Sequence, residues 1–144
     1  MAATARDLLA TKNSAVVYTC ARDASVREAC EMMRDRRVGA LVVVRGGELQ
    51  GLLTERDVVR HLAAEGRDPW LTRVDEVMER NFVTVPLDAR CEEIEALLRR
   101  RRARYVPVVG ARGLLGMISL GDLARYHAAR EHERAGGVLA AARG

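Results

Sequence analysis

The apolar residues of this chain follow two periodicities that alternate in a fixed order, and that order occurs twice. Val26, Ala29, Cys30 and Met33 recur at helical spacing, as do Cys91, Ile94, Leu97 and Leu98. Each set predicts a helix with one face turned to a core. The runs "ALVVV" (Ala40 to Val44) and "YVPVV" (Tyr105 to Val109) are short, β-branched and closed by glycine-containing turns, which predicts buried strands. Pro107 has no N–H to offer a ladder, so the second run is expected to be an edge or irregular at that point. After the turns "RGGELQG" and "GARGLLG" come short strands at Leu52–Leu53 and Met117–Ile118. Helices follow over about residues 55–64 and 120–129, the first stopping at Gly66.

The two halves overlay without a gap, residues 17–62 on 82–127. Thr19 pairs with Thr84, Asp23 with Asp88, Glu28 with Glu93, Arg37 with Arg102, Val43 with Val108, Gly51 with Gly116 and Asp57 with Asp122. A register held that long is an internal duplication. The lead-ins "RDLLATKN" and "VDEVMERN" also match, at a different offset, so the first copy carries extra residues near Ser14 to Val16. The predicted unit is strand, helix, strand, strand, helix, and two units packed through their sheets would share one core. The expected division is a first repeat at 5–66, a linker at 67–74, a second repeat at 75–128 and a partly disordered tail at 129–144. Trp70, in the linker, is expected to plug the space between the halves.

Charge narrows the function. The formal net charge is +4, and Lys12 is the only lysine, so nearly every basic group is an arginine. The densest run, Arg99 to Arg102 with Arg104 beyond it, reads as a solvated helix end whose cations complement the macrodipole. Nucleic-acid binding is not expected, because it calls for a broader basic surface and stacking aromatics, and the chain has one Trp, one Phe and three Tyr. The N-terminus has no apolar signal region and no stretch approaches the roughly 18 apolar residues of a membrane span. A soluble, cytoplasmic protein with no membrane contact is expected. Cys20, Cys30 and Cys91 are odd in number and lack zinc-ligand spacing, and His61, His127 and His132 share none, so neither disulfide nor metal is expected. With no catalytic constellation, no P-loop and no dinucleotide fingerprint, neither is an enzyme.

The duplication contains one motif with chemistry in it, "GLLTERD" at Gly51 to Asp57 and "GMISLGD" at Gly116 to Asp122. Thr54 and Asp57, like Ser119 and Asp122, stand at N-cap and N3 spacing, where hydroxyl and carboxylate satisfy each other's backbone N–H groups. The same helix start also presents N–H groups to an anion, and an ionised aspartate suits a ribose diol. Spacing alone leaves the two uses open.

The order of elements and the motif resemble the cystathionine-β-synthase (CBS) domain, present as a tandem pair, over about residues 5–128. "TERDVVR", "ALVVV" and "ISLGDL" are most similar to small stand-alone bacterial CBS-pair proteins. The resemblance implies an α/β (α+β) fold of two βαββα repeats packed through their sheets with pseudo-twofold symmetry, assembled as a homodimer. It also implies a regulatory module that binds AMP, ADP, ATP, NAD(H) or S-adenosylmethionine and so alters its dimer or its contact with an unidentified regulated protein. One cleft would use Asp122, Ser119, Gly121 and Arg104, with Val17, Tyr18 and Lys12 from the first lead-in. The other would use Asp57, Thr54 and Arg56, with Phe82 and Val83. Two departures stand out: Tyr105 where many relatives have His, and Gly39 at the place matching Arg104. With Arg104 and Lys12 assigned to it, the Asp122 cleft is expected to be the tighter. The alternative is a ligand-independent scaffold in which the motifs are only caps and the arginines meet an acidic partner. Independently of the resemblance, Val58, Val59, Leu62, Leu123, Ala124 and Ala128 on the outer helices predict an apolar face for a second copy.

Overall fold

The computed structural model describes residues 3–11 and 17–143, residues 136–143 by backbone alone. The first copy runs α1 (Ala5–Thr11), β1 (Thr19–Ala21), α2 (Val26–Arg36), β2 (Ala40–Arg45), β3 (Glu48–Thr54) and α3 (Glu55–Val58), which widens into a π turn over Val59–Ala63. The second runs α4 (Val74–Val77), α5 (Cys91–Arg101), β4 (Tyr105–Gly110), β5 (Gly113–Ser119) and α6 (Leu120–Arg143). Helix α6 extends past the expected end near Ala129 and runs on to Arg143. The extra residues near Ser14 to Val16 lie outside the described residues.

Local chemistry sets the element ends. Ser25 caps α2 by accepting from the Glu28 N–H at 3.1 Å, and Val26, Ala29 and Met33 form its buried stripe. Cys91, Ile94 and Leu98 do the same for α5. Both helices end on an arginine with left-handed backbone, Arg37 at φ 56° and Arg102 at φ 54°. In the first sheet β1 pairs parallel with β2, and β2 antiparallel with β3. The β2–β3 turn needs positive φ twice, which Gly46 and Gly47 supply. In the second sheet β4 pairs antiparallel with β5, and both hairpins bulge at matching places, after Val43 and Val108.

The second copy has no counterpart to β1 beyond a single parallel bridge between Val85 and Val108. Pro107 is the reason. Val85 N–H donates to the Pro107 carbonyl and Val109 N–H to the Val85 carbonyl, both at 3.0 Å. In the first copy a further bond runs from Val42 N–H to the Tyr18 carbonyl at 3.0 Å, and at the matching place Pro107 has no N–H to make it.

The fold is of the α/β (α+β) kind expected: two βαββα repeats packed through their sheets about a pseudo-twofold axis, with β3 and β5 approaching within 8 Å between Cα atoms. The buried apolar residues form two clusters in place of the single shared core. One holds Leu41, Val43 and Leu53 with Val26, Ala29, Met33 and Leu62, and is completed by Val74, Val77 and Met78 of the second lead-in. The other holds Val106, Val108 and Ile118 with Cys91, Ile94, Leu98 and Leu123, and is completed by Ala3, Ala5 and Leu8 of the first. The lead-ins have changed places. Backbone bonds fasten the exchange: Ala5 N–H donates to the Ala89 carbonyl at 2.8 Å, and Val74 N–H to the Ala24 carbonyl at 2.8 Å.

The exchange explains the glycine that opens each motif. A Cβ on Gly51 would lie 2.7 Å from Met78 Sδ and 2.9 Å from the Glu79 carbonyl oxygen, and one on Gly116 would lie 2.7 Å from Leu9 Cδ2. Each glycine is where the crossed lead-in touches the sheet. Two expectations fail. Trp70 plugs nothing: it is 59% exposed, with the Arg27 guanidinium 5.3 Å from its ring centroid. The linker turns outward there because Trp70 N–H closes a tight turn onto Asp68 Oδ1. The outer apolar face is also smaller than the sequence suggests, since Leu62 and Leu123 point into the chain's own clusters and Val59 remains outside.

Candidate functional site

Both motifs fold as capping boxes at the junction of strand and helix. Thr54 Oγ1 accepts from Asp57 N–H at 3.2 Å, and Asp57 Oδ2 accepts from Thr54 N–H at 2.9 Å and from the Thr54 hydroxyl at 3.1 Å. Ser119 Oγ accepts from Asp122 N–H at 3.0 Å, and Asp122 Oδ2 accepts from Ser119 N–H at 2.8 Å. The aspartates differ in their other oxygen. Asp122 Oδ1 accepts from Arg125, one turn along α6. Asp57 Oδ1 has no partner among the described residues, because Arg60, at the matching place, sits in the π turn, where the spacing of successive turns is altered.

A cavity opens beside each motif. The Asp57 cavity measures about 430 Å³, and Thr54, Arg56, Phe82 and Val83 line it. The Asp122 cavity measures about 290 Å³, with Ser119, Val17 and Tyr18 in its wall. Gly121 is not part of that wall, and a Cβ on it would meet Arg125 Nη1 at 3.3 Å, so the helix start is screened by a side chain. Lys12 lies outside the described residues.

Arg104 is the clear reassignment: it lines the Asp57 cavity and not the Asp122 one. Its carbonyl accepts from Leu120 N–H at 2.9 Å and so belongs to the start of α6, while the residue is part of the neighbouring cavity across the pseudo-twofold axis. Arg101 and Arg102 join it there. Both were legible only as members of a basic helix end, and the signal that marked them was the register pairing Arg102 with Arg37, which lines the Asp122 cavity. In that cavity Arg125 is engaged with Asp122. In the Asp57 cavity Arg56 donates to the Arg102 carbonyl at 3.1 Å and Arg101 to the Asn81 carbonyl at 2.7 Å. None of Arg56, Arg101, Arg102 and Arg104 forms an ion pair among the described residues.

Gly39 and Tyr105 line both cavities. A Cβ on Gly39 would collide with the Tyr105 hydroxyl and stand 3.2 Å from Glu55 Oε2. The two departures noted in the sequence therefore answer each other, the missing side chain of one making room for the ring of the other. Burial, followed by the nearby Glu55 carboxylate, raises the Tyr105 phenol above its ordinary pKa and keeps it neutral. Burial also raises the Asp57 pKa from its ordinary value, opposed by its hydrogen bonds from Thr54.

Two helix starts, each with a hydroxyl and a carboxylate, open on a pseudo-symmetric pair of cavities walled by both halves of the chain. The CBS domain model matches residues 5–64 and 74–129. The chain belongs to the CBS-domain family. It is 36% identical over 108 residues to the CBS domain-containing protein YhcV of Bacillus subtilis, covering 75% of this chain and 76% of that one. It is 37% identical over 111 residues to the mitochondrial CBS domain-containing protein CBSX3 of Arabidopsis thaliana, covering 74% of this chain and spanning 54% of that protein. A solved Burkholderia ambifaria protein with CBS domains superposes with TM-score 0.85 at 32% identity, over 88% of this chain and 95% of that one. The CBS pair of protein MJ0100, solved in complex with 5′-methylthioadenosine and S-adenosyl-L-methionine, superposes with TM-score 0.77 over 90% of this chain and 99% of that one. At 23% identity that likeness is one of fold. Among the described residues, no helix is long and apolar enough to cross a membrane and no group of three His, Cys, Asp or Glu could hold a metal.

Proposed function

We propose that this CBS pair is a regulatory module whose Asp57 cleft binds an adenosine-containing nucleotide without turning it over. The observation that carries the reading is the Oδ1 of Asp57, uncommitted among the described residues, on a buried carboxylate beside a cavity whose lining includes four arginines that form no ion pair among those residues. An ionised carboxylate accepts from both hydroxyls of a ribose diol, guanidiniums take phosphate oxygens, and Phe82 with Val83 offers an apolar surface for a base. The cleft with Arg104 is the tighter of the two, which moves the preference from Asp122 to Asp57. A ligand that grips both repeats favours whichever inter-repeat arrangement fits it, by no more than its differential affinity, and this is how occupancy would reach a regulated partner.

The test is a melting panel with AMP, ADP, ATP, NAD and S-adenosylmethionine. A ligand at about 100 times its Kd stabilises by about 2.7 kcal/mol, a clear shift. No shift with any of them returns the protein to the scaffold reading.

The module acts as a homodimer in the same proposal. Val59 stands exposed on one outer helix and Ala124 at the matching place on the other, so a second copy can cover both. Light scattering at micromolar concentration is expected to give twice the chain mass, and a monomer with and without nucleotide rejects this assembly.

A further inference from the structure

We infer that the Asp57 cleft selects nucleoside polyphosphates over monophosphates and over sulfonium-bearing adenosines, and that Arg102 supplies much of that selectivity. The inference rests on the nucleotide reading above and goes beyond it to the class of ligand. Arg56, Arg101, Arg102 and Arg104 come from the start of α3, the end of α5 and the approach to β4, and converge on one cavity. Arginine keeps its charge at any working pH and pairs with phosphate through a planar fork. The carboxylates in the same lining are Glu55, Asp57 and Glu79, and the last two lie close enough for Glu79 to raise the Asp57 pKa, which gathers negative charge at the diol-reading end. The arginines stand free of ion pairs among the described residues, so their charges repel one another until an anion arrives. One terminal phosphate brings about two negative charges to four guanidiniums, whereas a chain of two or three phosphates brings more charge spread over more oxygens, and a sulfonium adds a like charge.

Arg102 carries a second mark. It occupies the position just after α5 with φ 54° and ψ 35°, a left-handed conformation that glycine adopts without strain and that helix ends commonly assign to glycine. An arginine held in strained backbone in a cavity wall points to a use for its side chain that outweighs the local strain. Its carbonyl, meanwhile, orders Arg56.

Arg102→Gly separates the two roles, because glycine suits the backbone and keeps the carbonyl. Calorimetry on the full chain with adenosine, AMP, ADP, ATP and inorganic tripolyphosphate is the experiment. In the unaltered protein affinity is expected to rise at least tenfold from AMP to ATP, with tripolyphosphate binding measurably on its own. In Arg102→Gly the melting temperature is expected to hold or rise while ATP and tripolyphosphate each lose about tenfold and AMP loses less. Equal affinity for AMP and ATP in the unaltered protein, or an equal loss for both in the variant, overturns the inference and leaves the nucleotide reading standing. Tripolyphosphate binding with no gain from adenosine leaves a polyphosphate site and overturns the nucleotide reading. No binding of any probe overturns both.

Discussion

Asp57→Ala is expected to weaken nucleotide binding in the larger cleft by about one to two decades while leaving the fold's stability nearly unchanged. A hydrogen bond to a charged group contributes about 1.5–3 kcal/mol, and each decade of affinity is about 1.4 kcal/mol. Stability moves little because two effects oppose. The substitution removes a capping partner, at about 1 kcal/mol, and it also removes a buried carboxylate whose raised pKa marks a desolvation penalty. Asp57→Asn keeps an acceptor for Thr54 N–H but not the charge, and is expected to lose affinity with the cap intact. The pH dependence follows from the same shift. A carboxylate raised in the folded state is protonated there before it is in the unfolded chain, so its penalty on folding is absent at low pH and sets in as pH rises from the ordinary value through the raised one. Diol binding needs the ionised form, so affinity is expected to fall with acidification at a pH above the ordinary aspartate value of about 3.9. Calorimetry across the acid range checks both points. An affinity flat down to the ordinary value removes Asp57 from the ligand contact. Asp122→Ala makes the contrast: both its oxygens are already bonded within the chain, so it is expected to act on stability and to spare the larger cleft.

Gly51→Ala is expected to destabilise the fold by about 1–3 kcal/mol, the range for forcing a methyl group into a packed interior. The new carbon would press on Met78 and on the Glu79 carbonyl. That carbonyl accepts from Leu52 N–H at 3.0 Å while Glu79 N–H donates to the Leu52 carbonyl at 2.8 Å, so it cannot retreat without breaking the bridge that holds α4 on the first repeat. Gly116→Ala occupies the matching position, but the three atoms nearest its new carbon all belong to the Leu9 side chain, which has other rotamers, and it is expected to cost less. Denaturant unfolding of the two variants, read as a midpoint shift at constant slope, tests the difference. Equal losses would mean that the lead-ins are held in some other way.

The elements that could be read along the chain are those whose causes are local. The stripes of α2 and α5, the Gly46–Gly47 turn and the S/T-x-x-D caps depend on residues a few positions apart, and all are found where the periodicity put them. Pro107 could be read too, since a missing N–H is a property of one residue, although only the pairing revealed that the bond it forfeits is the one holding a first strand in the other copy. The repeated glycine was visible as a pattern but not as a cause. Its reason is a lead-in helix arriving from the far half of the chain.

The membership of each cleft was settled by packing. The family resemblance assigned Arg104 to the Asp122 cavity, yet near the pseudo-twofold axis a residue can have its backbone in one repeat and line the cavity of the other. Gly39 and Tyr105 became partners by the same crossing. By itself the sequence determined two copies of one unit, their main helices and hairpins and the capping chemistry at each helix start, because these follow from periods and spacings short enough for neighbouring residues to enforce. Only the tertiary structure decided that the lead-ins exchange, that four arginines share one cavity and that, among the described residues, Asp57 rather than Asp122 keeps an oxygen uncommitted. Those outcomes depend on contacts between residues far apart in the chain, where a shift of one side chain across the axis changes which cleft it serves.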